Sequence, residues 1–189
     1  MTEFDPKLIV IHGQARLEKV EDLLKDCTKY NIKIVTAESL TAGGITHLLT
    51  ELSGSSNMLD SGYVVYNDEA KARMLGVNEL TLENYSAVSA PVAKQMAEGA
   101  LDRSKAKVSV AVTGYSDATG DPSRDIVGGT VFIAVAYKGI NSWEFTTEVN
   151  QHQFSQNRHE CREQTIDAAI DALTRVIEIV KTQEIGMSR

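Results

Sequence analysis

Cysteine is scarce in these 189 residues: Cys27 and Cys161 are the only two, and they form no CxxC pair. Both fall among apolar positions of predicted helices, which excludes a disulfide framework and reads as reduced packing residues in a reducing compartment. Positive charge is also short, since 19 Lys and Arg face 26 Asp and Glu for a formal net charge of -7. With no local basic patch to offset that field, nucleic acid and anionic membrane surfaces are excluded as partners. No apolar run reaches the length of a membrane span, and the terminus MTEFDPKLIV has no basic segment ahead of a long apolar one. A soluble, cytoplasmic protein is expected.

Two further absences narrow the chemistry. The four histidines, His12, His47, His152 and His159, show no paired spacing with Cys, Asp or Glu, so no metal is expected. Gly43-Gly44 lacks the spacing of a dinucleotide fingerprint or a P-loop, and nothing else calls for a cofactor. Repeats, low-complexity tracts and linkers are missing too. A 42% hydrophobic content over 189 residues then suits one domain, 1–189, with residues 1–15 as an extra strand or a loose arm.

What is present alternates. Lys7 to His12 is a short apolar run consistent with a strand. From Arg16 to Tyr30, Leu17, Val20, Leu23, Leu24 and Cys27 recur at helical spacing. Ile32 to Ala37 reads as a buried strand entering Glu38-Ser39-Leu40-Thr41-Ala42-Gly43-Gly44, and a helix follows until about Ser53-Gly54. A second strand and helix pair follows, from Gly62 to Tyr66 and from Asn67 to Gly76. Ser89-Ala90-Pro91 opens a helix to about Lys105, Lys107 to Thr113 is a strand, and residues 115–129 form a long loop. A hairpin from Thr130 to Val149 turns at Lys138-Gly139, and a helix runs from about Gln156 to Lys181. This order predicts an α/β fold in three layers: a mixed, mostly parallel sheet with helices on both faces and an antiparallel hairpin.

Ligands of such sheets sit at the carboxyl ends of the parallel strands. Three of those ends carry polar residues that a core does not need: Glu38-Ser39 with Thr41, Tyr66 with Lys71, and Thr113-Gly114 with the long loop. Ser39 stands at a strand-to-helix turn, where free amides and the small residues Ala42, Gly43 and Gly44 leave room for a ligand or an oxyanion. The same residue type also caps helices, and pattern alone leaves both roles open. Lys71 falls in the first helical turn, where the macrodipole lowers a lysine pKa and suits it to act as a base. Pattern alone favours reading it as a solvated surface charge, and Tyr66 as an ordinary strand aromatic. Together they fit a serine activated by a group other than histidine.

These residues resemble a known family. Thr36 to Gly44 looks like the TAESCTGG signature of the CinA C-terminal domain, Ser61 to Lys71 with Leu75-Gly76-Val77 is similar to its GGVVAYSNEAK and LGV blocks, and Val110 to Gly114 is similar to its AVTG strand. Ala87-Val88-Ser89 and Ala97 to Ala100 resemble its AVS and MAEGA segments. The resemblance spans roughly Leu17 to Leu173. It implies an α/β homodimer or higher homo-oligomer that deamidates nicotinamide mononucleotide, with Ser39 as nucleophile and Tyr66 and Lys71 activating it. It further implies that Glu38, Thr41, Gly43, Gly44, Thr113 and Gly114 serve substrate binding. Arg158, in a segment similar to the family's FxGDR stretch, is implied as a phosphate contact, reaching across a dimer interface. Leu40 and Ala42 replace the usual Cys and Gly. The loop after Gly114 departs further, carrying Asp117, Asp121 and Asp125, an acidic wall that disfavours a phosphate. A non-catalytic nucleotide-binding or regulatory relative therefore stands as the alternative.

Overall fold

A computed structural model describes residues 5–139 and 144–187. Five strands form one sheet in the order β2-β1-β3-β4-β5: β1 is Ile34–Glu38, β2 Leu59–Val64, β3 Val108–Gly114, β4 Thr130–Lys138 and β5 Phe145–Gln153. β2, β1 and β3 run parallel, and β4 and β5 are antiparallel. The mixed α/β sheet is the one the alternation predicts. Helices α1 (Pro6–His12), α2 (Gln14–Tyr30), α3 (Gly44–Leu49), α4 (Asp68–Leu75), α5 (Glu79–Tyr85), α6 (Ala90–Asp102) and α7 (Arg158–Met187) complete the described chain. None is long and apolar enough to cross a membrane.

Strand alternation sends two kinds of side chain to the two faces. Ile34, Val108, Val110, Val112, Val131, Ile133 and Val135 form one core with α2, α3 and α7. There Cys161, Ile166, Ala169, Ile170, Leu173, Val176, Ile177 and Val180 of α7 are buried, as their spacing predicts. The opposite face carries smaller groups, Ala37, Ala111, Ala134 and Ala136, beneath the alanine-rich α6. Small residues on both partners let α6 approach closely, and the buried Ser109 hydroxyl donates to the Ala97 carbonyl across that contact at 2.7 Å.

The same close packing fixes α4, which carries Lys71. A Cβ on Gly99 of α6 would lie 1.9 Å from the Leu75 carbonyl oxygen at the end of α4, so no larger residue fits without moving one helix. Asn67 caps α4 by accepting from the Ala70 amide at 2.8 Å, placing Lys71 at the start of the helix.

The structure corrects several sequence expectations. Residues 6–12 are the helix α1 rather than a strand; a short apolar run has no decisive period, and Pro6 suits a first helical position. α5 escapes the sequence reading, although Asn78 caps it through the Leu80 amide. β2 begins at Leu59 rather than Gly62, because Leu59 pairs with Ile34. β5 extends to Gln153, and Lys138 of the expected Lys138-Gly139 turn is the last residue of β4. The 115–129 loop is partly ordered by its own bonds: Asp121 and Ile126 bridge, Pro122–Arg124 form a 3-10 turn, and Gly129 donates to the Tyr115 carbonyl at 2.8 Å.

Candidate active site

The carboxyl ends of β1 and β3 open onto a cavity of about 220 Å³. Ser39, Tyr66, Lys71, Thr113, Gly114 and Arg158, all singled out from sequence, line it together with Asp68 and Asp117. Ala87, Val88, Tyr115 and Ser116 also contribute. Tyr115 and Ser116 carry no sequence signal beyond their place in the long loop.

The turn after β1 is built around Glu38. Its buried carboxylate accepts from the Thr41 hydroxyl at 2.7 Å, from the Gly43 and Ile45 amides at 3.0 Å each, and from the Thr46 amide and hydroxyl at 2.8 and 2.7 Å. Thr36 pairs in turn with the Thr46 hydroxyl at 2.6 Å. These bonds consume amides of the α3 start that sequence offered to a ligand. The structure thus places Glu38, Thr41, Gly43 and Gly44 beneath the cavity rather than on its wall, where they hold the turn's shape. The Ala42 amide is likewise bound to the Ser39 carbonyl and the Gly44 amide to the Thr41 carbonyl, both at 3.1 Å. Among the described residues, the Leu40 and Thr41 amides have no protein acceptor. Leu40 immediately follows Ser39 and lines the cavity, so its amide is the donor left for an oxyanion there, while Thr41 is fully buried below it.

Ser39 is only 8% exposed, and its amide is anchored to the Val112 carbonyl at 3.2 Å. Lys71 is not the solvated charge that pattern alone favours: it is 1% exposed, and its Nζ donates to Ser39 Oγ and to the Tyr66 carbonyl, both at 3.4 Å. Burial pushes its pKa down, opposed by Asp68, whose carboxylate lies 3.9 Å away and faces solvent. A lowered pKa favours the neutral amine, the form that can take a serine proton. Tyr66 is 61% exposed, and its hydroxyl accepts from Arg158 at 3.0 Å rather than bonding Ser39.

Thr113 and Gly114 face the cavity from β3. The Thr113 hydroxyl is spent on the Ala87 carbonyl at 2.7 Å, which draws the 86–89 turn over the site. Arg158 belongs to the same chain's cavity and pairs with Asp117 at 3.3 Å. The expected acidic wall is mostly absent from it. Asp121 turns inward on the Ser123 amide and hydroxyl, and neither it nor Asp125 lines the cavity, because the loop folds back on itself.

Fold and site together define an α/β protein with a buried serine and lysine pair at the carboxyl end of a parallel sheet. Residues 16–177 match the CinA C-terminal domain, and the chain belongs to that family. It is 42% identical over 168 residues to a putative competence-damage inducible protein of Caldicellulosiruptor saccharolyticus, covering 88% of this chain and 38% of that relative. A nicotinamide-nucleotide amidohydrolase PncC of Pseudomonas putida is 37% identical over 149 residues, 78% of this chain and 88% of its own length. Among solved structures, the competence/damage inducible protein CihA of Agrobacterium tumefaciens superposes with a TM-score of 0.78 at 33% identity, covering 97% of this chain and all of that one.

Proposed function

We propose that this chain is an amide hydrolase acting on a nicotinamide nucleotide, converting nicotinamide mononucleotide and water to nicotinic acid mononucleotide and ammonia. The observation that carries this reading is the buried Lys71 amine 3.4 Å from Ser39 Oγ. Ser39 Oγ attacks the carboxamide carbon while Lys71 Nζ takes its proton, and the resulting oxyanion accepts from the Leu40 amide. The carbon–nitrogen bond then breaks, with Lys71 returning the proton to the departing ammonia. Water attacks the Ser39 ester, Lys71 again takes the proton, and the acid leaves as the serine is restored. Arg158 at the cavity rim meets the phosphate, and Tyr66 orients Arg158 through its hydroxyl. The similarity to the Pseudomonas putida amidohydrolase supports this substrate class. The homodimer implied by the family resemblance is part of the reading, and light scattering of the purified chain tests it.

One observation favours the second reading, a nucleotide-binding relative without turnover: Asp117 already occupies Arg158. Ammonia release from nicotinamide mononucleotide by the purified protein separates the two. Stoichiometric binding without ammonia would leave only the second.

A further inference from the structure

A second cluster of chemically capable groups lies apart from Ser39. His12 ends α1, His47 lies on α3, and Glu51 follows α3 by two residues, so no sequence spacing joins all three. One ligand atom from each falls within 4.8 Å of the others. The Glu51 Oε1 is 3.2 Å from His12 Nε2 and 2.8 Å from His47 Nε2. His12 and Glu51 are largely enclosed, with side chains 8% and 14% exposed, whereas His47 is 67% exposed.

The Nε2 of His12 is what remains unexplained. It is buried and makes no hydrogen bond, although it stands 3.2 Å from Glu51 Oε1. With its proton on the other ring nitrogen, the His12 Nε2 lone pair and the carboxylate oxygen repel each other when nothing lies between them. A cation shared by both turns that contact attractive. For a tetrahedral ion with bonds of about 2.0–2.2 Å, neighbouring ligand atoms stand about 3.3–3.6 Å apart, close to the 3.2 Å His12 and Glu51 separation, and the 2.8 Å His47 and Glu51 pair would open slightly to admit the ion. The cluster opens onto a cavity of about 310 Å³, also lined by Arg16, His159, Arg162 and Glu163. Arg16 is neutralised there by Glu163 and Asp167. Arg162 donates to the Thr41 carbonyl at 3.0 Å, and its buried Nε has no hydrogen-bond partner among the described residues.

We propose that His12, His47 and Glu51 form a binding site for one divalent transition-metal ion of the zinc type, with the remaining position open to the cavity. Two imidazoles and a carboxylate suit such an ion, while magnesium and calcium prefer oxygen donors throughout. This reading runs against the expectation of no metal, which rested on sequence spacing alone. His12 precedes the family-matched residues 16–177, so the ion ties α1 to α3 through a ligand outside the shared domain.

The test is calorimetric titration of the tag-free, chelator-treated full chain with zinc chloride, and in parallel with magnesium chloride. The expected result is one zinc per chain with a raised thermal midpoint, and no magnesium binding. His12→Ala, His47→Ala and Glu51→Gln should each weaken zinc binding by at least about tenfold, the lower bound seen when even outer-shell groups are lost. If His12→Ala does not fold, the exposed His47→Ala still decides the matter. Absence of saturable zinc binding to the wild-type chain, or zinc binding unchanged in His47→Ala, overturns the proposal.

Discussion

Lys71 Nζ lies 3.4 Å from Ser39 Oγ, 32 positions away in sequence, and both groups are almost wholly withdrawn from water. β1 delivers the serine and the capped start of α4 delivers the lysine. Acting as one unit, the two should show non-additive losses. Ser39→Ala and Lys71→Ala are each expected to lower kcat for amide hydrolysis by at least about a hundredfold, and the double variant to lose little more. Steady-state ammonia assays of the three variants test this; multiplicative losses would separate the roles.

The buried lysine also predicts how activity and stability depend on pH. Burial lowers the folded-state pKa of Lys71 from its ordinary value of 10.5. The serine proton can be taken only by the neutral amine, so kcat/KM should be lost as pH falls through the lowered value, giving an acid limb below 10.5. For stability the sign is the reverse of a paired lysine: between the two pKa values the unfolded chain binds more protons, so stability rises with pH and the penalty vanishes above the unfolded value. Lys71→Met should therefore raise the thermal midpoint at neutral pH, by on the order of 1 kcal/mol of stability, while abolishing turnover. Its advantage over wild type should shrink as pH approaches 10.5. Thermal melts across pH that show no convergence would argue against a lowered Lys71 pKa.

Much of this site is legible in the sequence, because strand ends and helix starts have local signatures. Ser39, Tyr66, Lys71, Thr113, Gly114 and Arg158 do share one cavity. What the sequence does not disclose is how polar groups divide between ligand and scaffold. Glu38 looks like a site residue by position, yet it spends five hydrogen bonds on its own turn. Lys71 looks like a surface residue because burial depends on the packing of α6 against α4, where Gly99 sets the distance. His12 and His47 are brought together by the docking of α1, a contact between separate elements with no fixed spacing along the chain.

Glu38 gives a stability prediction. Glu38→Gln keeps the volume but turns an amide NH2 toward groups that are donors, leaving at least one of them without an acceptor. The expected loss is about 2–3 kcal/mol, read as a lower midpoint in urea with an unchanged slope. Activity per folded molecule should fall too, because Ser39 is positioned by the same turn.

Ala42 carries a cost of a different kind. Its φ of 51° lies in the left-handed region, which a Cβ disfavours, at the position where the family signature has glycine. Ala42→Gly should stabilise the protein by on the order of 1 kcal/mol if relief of strain outweighs the added freedom of the unfolded chain. The chevron or urea midpoint decides the sign, and a destabilised variant would mean that the turn holds Ala42 without appreciable strain.

The last prediction concerns Asp117 and Arg158, paired at 3.3 Å on the cavity rim. If Arg158 meets the nucleotide phosphate, Asp117 competes for the same guanidinium, and its own charge repels the ligand. Asp117→Asn should then lower KM for nicotinamide mononucleotide several-fold, more at low salt than at high, because both groups are exposed and their interaction is screened. The uncharged riboside should respond far less. Asp121 provides the internal control: it is turned onto Ser123 and does not line the cavity, so Asp121→Asn should leave KM unchanged. Arg158→Ala should raise KM for the nucleotide while sparing the riboside. Equal responses of nucleotide and riboside to Asp117→Asn would show that the phosphate does not reach this pair, and would remove Arg158 from the binding site.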